Sequence, residues 1–305
     1  MNVATPPPAP DRANSPPSVP TTAVSRSDLR ADVGVIGGSG FYSFLDDVQP
    51  VAVVTPFGQP SDQVMVGALG NHRVAFLARH GQGHRVAPHR INYRANLWAL
   101  RALGVRQVLA PCAVGSLDPR YGPGTVVIPD QIIDRTWGRA HTLYDADGTP
   151  GADAVVHVSF ADPYCPSGRA VAIAAARAAD LPMVETGTLV VINGPRFSTR
   201  AEAAANRAAG GTVVGMTGMP EAVIARELAL CFTALAVVTD LDAGVGPDDA
   251  VTHAGVLQMF AANMPSFKEL VHASAAGLPE DPGDEAATCR CRRALDGIAL
   301  PFDLP

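Results

Sequence analysis

Two hydrophobic rhythms alternate along the chain. Short, nearly continuous apolar runs rich in β-branched residues occur at 33–38 (VGVIGG), 73–81 (RVAFLARHG), 107–116 (QVLAPCAVGS), 125–134 (TVVIPDQIID), 187–194 (GTLVVING), 212–218 (TVVGMTG) and 234–244 (ALAVVTDLDAG). Their length and composition predict buried strands. Between them, 94–104, 168–180, 200–210 and 220–231 are Ala-rich, with apolar residues recurring at a 3.6-residue spacing, which predicts helices. Strands alternating with helices predict an α/β fold around a largely parallel or mixed sheet. In such sheets ligands bind at the carboxyl ends of strands. Here several strand runs end in polar clusters: GGSG, RHG, AVGS, NGPRFS, MTG and TDLD. No internal repeat is apparent.

Composition narrows the function classes. The 305 residues suffice for one or two domains, and 47% hydrophobic with 17% charged residues suits a globular protein. A formal net charge of −6 argues against bulk nucleic-acid binding, which needs a basic surface. No apolar run is long enough to span a bilayer, and the first residues lack the basic and apolar regions of a signal peptide, so a cytoplasmic protein with no membrane partner is expected. Residues 1–30, rich in Pro, Ser, Thr and Ala, are expected to be a disordered leader. Residues 31–305 are expected to form one domain. Its tail, about 280–305, reads as a loop, a short helix and the apolar LPFDLP. The five cysteines are dispersed, and free thiols are expected in a reducing compartment.

The strand ends carry the candidate chemistry. Glycines in GGSG let backbone N–H groups approach an anion, and Ser39 adds a hydroxyl, although a tight turn explains the same residues. Arg79 offers a planar fork of donors suited to phosphate, with His80 beside it; a surface salt bridge is the plainer use of such a pair. No carboxylate or thiolate stands at zinc-like spacing from His84 and His89, so no metal is expected. Asp240 and Asp242, two apart on an extended chain, share a side. Two such acids can differ in pKa, one donating a proton while the other accepts hydrogen bonds. Phe197 is either a core residue or a stacking surface for a planar ligand.

Taken in order, GVIGGSGFY (34–42), RHGQGHRVAPHRINYRANLWALRALG (79–104), AVGSL (113–117), PGTVVIPDQIIDRT (123–136), HVSFADPYCP (157–166), NGPRFSTRAE (193–202), GMTGMPEAVIARE (215–227) and TDLD (239–242) closely resemble the 5′-methylthioadenosine phosphorylase branch of the purine nucleoside phosphorylase family. The resemblance runs from about 33 to about 275. It implies a single α/β domain, its mixed twisted sheet curled into a partial barrel and surrounded by helices, assembled as a homotrimer. It implies phosphate-dependent cleavage of a purine nucleoside, with inorganic phosphate as co-substrate and no metal or organic cofactor. The resemblance gives Ser39, Arg79, His80, Cys112, Ala113 and Thr217 to phosphate. It puts Met216 under the ribose, Phe197 on the purine, Ser198 near the base's six-position edge, and Asp240 and Asp242 at N7 and the exocyclic amine, with Asp240 as general acid. His157, from a neighbouring subunit, and the C-terminal segment would close over the 5′ substituent.

Departures from the family pattern bear on the substrate. Relatives that prefer 6-oxopurines carry Asn at position 240 and often Glu at 198; Asp240 and Ser198 here imply a 6-aminopurine. GMTGMPE also resembles the methylthioinosine branch, which leaves a 6-oxopurine nucleoside as the alternative. His253 stands where relatives have either an apolar residue or a His at the 5′-hydroxyl, and it equally suits a helix start. Cys112 replaces a common Thr, and Asn193 a common Glu. Cys289-Arg-Cys291 resembles a C-x-C pair near the tail of some relatives.

Overall fold

The structure is a computed structural model that describes residues 29–38, 45, 48–145, 154–245, 252–280 and 288–305. Residues 1–28 of the expected leader, and Ser39, lie outside the described residues. The strands are β1 (Val33–Gly37), β2 (Gln49–Val51), β3 (Val64–Leu69), β4 (His72–Ala78), β5 (Gln107–Ser116), β6 (Val126–Val127), β7 (Gln131–Arg135), β8 (Met183–Val184), β9 (Thr188–Ile192), β10 (Val213–Gly215) and β11 (Cys231–Leu241). The helices are α1 (Tyr93–Ala102), α2 (Pro166–Ala178), α3 (Arg200–Ala208), α4 (Gly218–Glu227) and α5 (His253–Gly277).

All strands join one mixed sheet in the order β2-β3-β4-β1-β5-β10-β9-β7, with β11, β6 and β8 branching from β5. No ladder joins β2 to β7 among the described residues, so the sheet stays open. The branch creates the site. One edge of β5 pairs with β11 from Gln107 to Ser116. The other edge pairs in parallel with β1 only over Gln107–Leu109. It then pairs antiparallel with β10 only at Gly115–Ser116. Between these ladders, no strand among the described residues pairs with Ala110–Val114 on that edge, and the sheet parts there. Pro111, which has no N–H to donate, sits in the gap at no cost to a ladder.

Alternation of side chains on β1 sends Ile36 to one face and Val33 and Val35 to the other. Leu97 and Leu100 of α1 pack with Ile224 of α4 and with Leu228, its C-cap, on the first face. Ala172 and Ala176 of α2 pack with Phe267, Leu270 and Val271 of α5 on the second. Both faces are covered, which is why the strands read as continuous apolar runs. Helix α3 carries a capping box: Thr199 accepts from the Glu202 N–H while Glu202 accepts from the Thr199 N–H.

Two expectations shift, and one helix goes unread in the sequence. The 125–134 run splits into β6 and β7 around Pro129. Helix α5 has no amphipathic signal of its own, because apolar residues are spread around it and Pro265 interrupts the pattern. The tail has no helix among its described residues; 289–297 forms successive turns, with Arg292 N donating to Cys289 O at 3.0 Å and Gly297 at φ 75°. No helix of the described residues is long and apolar enough to cross a membrane.

Candidate active site

The gap in the sheet opens into a cavity of about 450 Å³. Carboxyl ends of β1, β4, β9, β10 and β11 reach it, bringing Gly38, Arg79, His80, Phe197, Ser198, Met216, Thr217, Asp240 and Asp242 together with Cys112 and Ala113 of β5. Every described residue assigned to phosphate or purine by resemblance therefore lines one cavity. His157 is exposed and does not line it. His253 is the first residue of α5, with Thr252 as N-cap. One turn later, Val256, Leu257 and Phe260 form an apolar wall.

At one end lies an anion cradle. Arg79 is 1% exposed, as is Glu221. The Arg79 fork donates from Nε to Glu221 Oε1 at 2.8 Å and from Nη2 to Oε2 at 2.9 Å, while Nη1 donates to Pro111 O at 3.0 Å. Burial alone would discourage the charge, but the Glu221 carboxylate outweighs it and holds Arg79 firmly protonated. Three of its five N–H groups are thus committed, and the pair is neutral overall. An anion here depends as much on dipoles as on net charge. Thr217 lines the cavity just before α4, its hydroxyl making no cap hydrogen bond; Met219, at φ −121° and ψ 136°, breaks the helical path, so the regular helix begins only after it. Arg85 lies exposed at the cavity edge.

His80 donates from Nδ1 to Val86 O at 2.8 Å and stacks on His84 with ring centroids 4.2 Å apart. Burial, helped by Arg79 and His84, lowers its pKa to about 4. The ring is neutral at neutral pH, and the Nδ1 bond leaves Nε2 as an acceptor. Such a nitrogen receives the proton of a monobasic phosphate, or takes up a proton in a dianion's field. Burial pushes the Cys112 thiol up to about 11, so it contributes as a neutral, weak donor.

At the other end stand two carboxyls. A register shift between Val238 and Asp240 bulges β11 just before its end and re-aims the two acids. Asp240 Oδ2 accepts from Thr239 Oγ1 at 2.8 Å. Burial, reinforced by Asp242, raises the Asp240 pKa to about 6. Asp242 is also raised, by burial, against the opposing Ser198 hydroxyl and the Ala243 N–H. Ser198 Oγ and Asp242 Oδ2 are buried without a partner of good geometry. These are polar atoms shaped for a ligand. Gly115 makes room: a Cβ there would sit 3.0 Å from Asp240 Oδ1 and 3.3 Å from Val214.

Phe197 and Met216 form the middle, and both are half-buried. Gly194 has φ 60°, and a Cβ on it would lie 2.5 Å from Met216 Sδ. The segment before Phe197 is held by Arg139, a residue that carries no signal in the sequence. Arg139 donates from Nε to Asn193 Oδ1 at 3.2 Å and from Nη2 to Asn193 O at 2.8 Å, and it also bonds the Met219 carbonyl. Asn193 therefore serves as the acceptor that ties the purine-side loop to the α4 end. Glu221 lies within the GMTGMPE motif, but its pairing with Arg79, 142 residues away, leaves no local signal of its role.

Residues 32–276 match the phosphorylase superfamily. The chain is 56% identical to a purine nucleoside phosphorylase from Streptomyces coelicolor over 91% of this chain and 99% of that protein. It is 51% identical to an S-methyl-5′-thioadenosine phosphorylase from Mycolicibacterium smegmatis over 90% of this chain and 99% of the other. A methylthioadenosine phosphorylase from Schistosoma mansoni, solved with adenine, superposes with a TM-score of 0.77 at 37% identity, covering 81% of this chain and 91% of that one. Motif order, a cavity at strand ends with a buried Arg and paired acids, and near full-length similarity agree: the chain belongs to the purine nucleoside and methylthioadenosine phosphorylase family of the phosphorylase superfamily.

Proposed function

We propose that this protein cleaves 5′-methylthioadenosine with inorganic phosphate, giving adenine and a 5-methylthioribose 1-phosphate. The observation that carries the reading is one cavity with an anion cradle at one end and two raised-pKa carboxyls at the other. Phosphate rests on Arg79, His80 and Thr217, with Cys112 and Ala113 against it; the sequence adds Ser39. A phosphate oxygen attacks C1′ as the C1′–N9 bond breaks, and the bonding pair leaves with the base. The dianion beside C1′ stabilises the cationic sugar. Protonated Asp240 delivers its proton to N7, so the base departs neutral. Asp242 and Ser198 meet the exocyclic amine, and two carboxyls suit an amino group rather than a 6-oxo group. Phe197 stacks on the purine and Met216 lies under the ribose.

The α5 wall of Val256, Leu257 and Phe260 favours a thioether over a hydroxyl at the 5′ position. No step calls for a metal or organic cofactor. A homotrimer completes the site, with His157 reaching a neighbour's 5′ pocket. His157 is exposed in its own chain, and the apolar Val155, two residues before it, is 82% exposed. A turnover panel of methylthioadenosine, adenosine, methylthioinosine and inosine tests the substrate. The reading expects methylthioadenosine to have the highest kcat/KM; preference for either inosine compound would replace it with the 6-oxopurine alternative.

A further inference from the structure

Outside the cavity, the fold gathers four cysteines that the sequence scatters. Cys165 is the N-cap of α2, Cys231 opens β11, and Cys289 and Cys291 lie in the tail turns. Their sulfurs all lie within 4.8 Å of one another. Cys289 Sγ stands 3.7 Å from Cys165 Sγ and 3.6 Å from Cys231 Sγ. The sulfur–sulfur edge of a tetrahedral site with zinc–sulfur bonds of about 2.3 Å is ~3.8 Å. Cys289 approaches two sulfurs at nearly that edge length, as one vertex of such a tetrahedron would. Cys165, Cys231 and Cys291 are buried and Cys289 is half-buried, so the cluster is largely closed, as structural zinc sites are.

We propose that Cys165, Cys231, Cys289 and Cys291 form a tetrahedral thiolate site for a structural zinc ion that fastens the C-terminal tail to the domain. Binding is ligand exchange without redox change: four Zn–S bonds form, and each thiol gives up its proton to solvent. The resulting site carries two negative charges. Arg226, whose Nη2 lies 4.0 Å from Cys291 Sγ, supplies a compensating cation. That guanidinium is itself fixed by the carbonyls of Ser159 and Asp162. Beyond the cluster, the tail lays Phe302 against Tyr144 and Trp98, with ring centroids 5.4 Å and 5.7 Å away, and adds Leu300 and Leu304 to the core. The ion thus fastens the tail to the first residues of strand β11 and helix α2.

The expectation of free thiols rests on the compartment and on dispersed positions, and only Cys289 and Cys291 are close in sequence. The test is metal analysis of the full-length protein, produced in zinc-supplemented medium and purified with reductant and without chelator. About one zinc per chain is expected, and refolding or exchange with cobalt(II) should give the visible bands of a tetrahedral thiolate complex. The double variant Cys289→Ser/Cys291→Ser should retain less than about a tenth of the zinc, and its tail should be cleaved faster in limited proteolysis. Should that variant not fold, stripping wild-type protein with a mercurial reagent should release the zinc and expose the tail equally. Wild-type protein that holds under about a tenth of an equivalent after reconstitution overturns the proposal. So does an intact mass, after rapid denaturing alkylation, that shows disulfides in place of five alkylated cysteines. Tail cleavage that ignores metal removal overturns the fastening role.

Discussion

Replacing Asp240 with Asn should make the protein more stable and far less active, and the size of the first effect follows from burial. A carboxyl moved from its ordinary 3.8 to about 6 makes its ionised form about 3 kcal/mol less favourable in the folded than in the unfolded chain. A raised pKa means the folded state binds more protons between those two values. Stability is therefore lost as pH rises through that window and stays lost above it. Asn is neutral and similar in shape, and its carbonyl can still accept from Thr239 Oγ1. At about pH 8 the variant should gain up to about 3 kcal/mol, and at about pH 5 roughly half of that. Paired denaturant or thermal melts at the two pH values measure the difference. In parallel, kcat for methylthioadenosine should fall about 10²- to 10⁴-fold, the usual contribution of a general acid. An Asp240→Asn variant no more stable than wild type at about pH 8 would refute the burial argument. Activity within about tenfold of wild type would refute the proton-donor role.

Glu221→Gln leaves a buried Arg79 half-paired, which should cost about 3–5 kcal/mol of stability and raise the KM for phosphate more than that for nucleoside, as chemical denaturation and steady-state kinetics would show. Gly194→Ala combines a left-handed backbone with a contact at Met216 Sδ; a rise of about tenfold or more in nucleoside KM, read from initial rates, is expected. Arg139→Met removes donors from Asn193 and the Met219 carbonyl together and should lower both phosphate and nucleoside affinity by isothermal titration, because it joins their two loops.

What the sequence discloses and what it hides have a common physical cause. Strands β5 and β11 are local events, continuous apolar runs on chain segments covered on both faces, and they read directly. Strand ends read as polar clusters, so Arg79, His80, Thr217, Asp240 and Asp242 are visible in the sequence itself. Helix α5 is not, since its apolar residues do not keep to one face. Glu221, Arg139 and the four-cysteine cluster depend on contacts across 142, 54 and 124 residues, and no local pattern records such pairings. The parting of the sheet at β5 is likewise a property of its three neighbours, and that parting is what turns a row of strand ends into a cavity.

The most direct measurement follows adenine and phosphate together in one reaction. With methylthioadenosine as substrate, adenine should appear in equal amount to the phosphate consumed, and none should form when phosphate is withheld. Adenine released at the same rate without phosphate, or no adenine with it, would contradict phosphorolysis at this cavity.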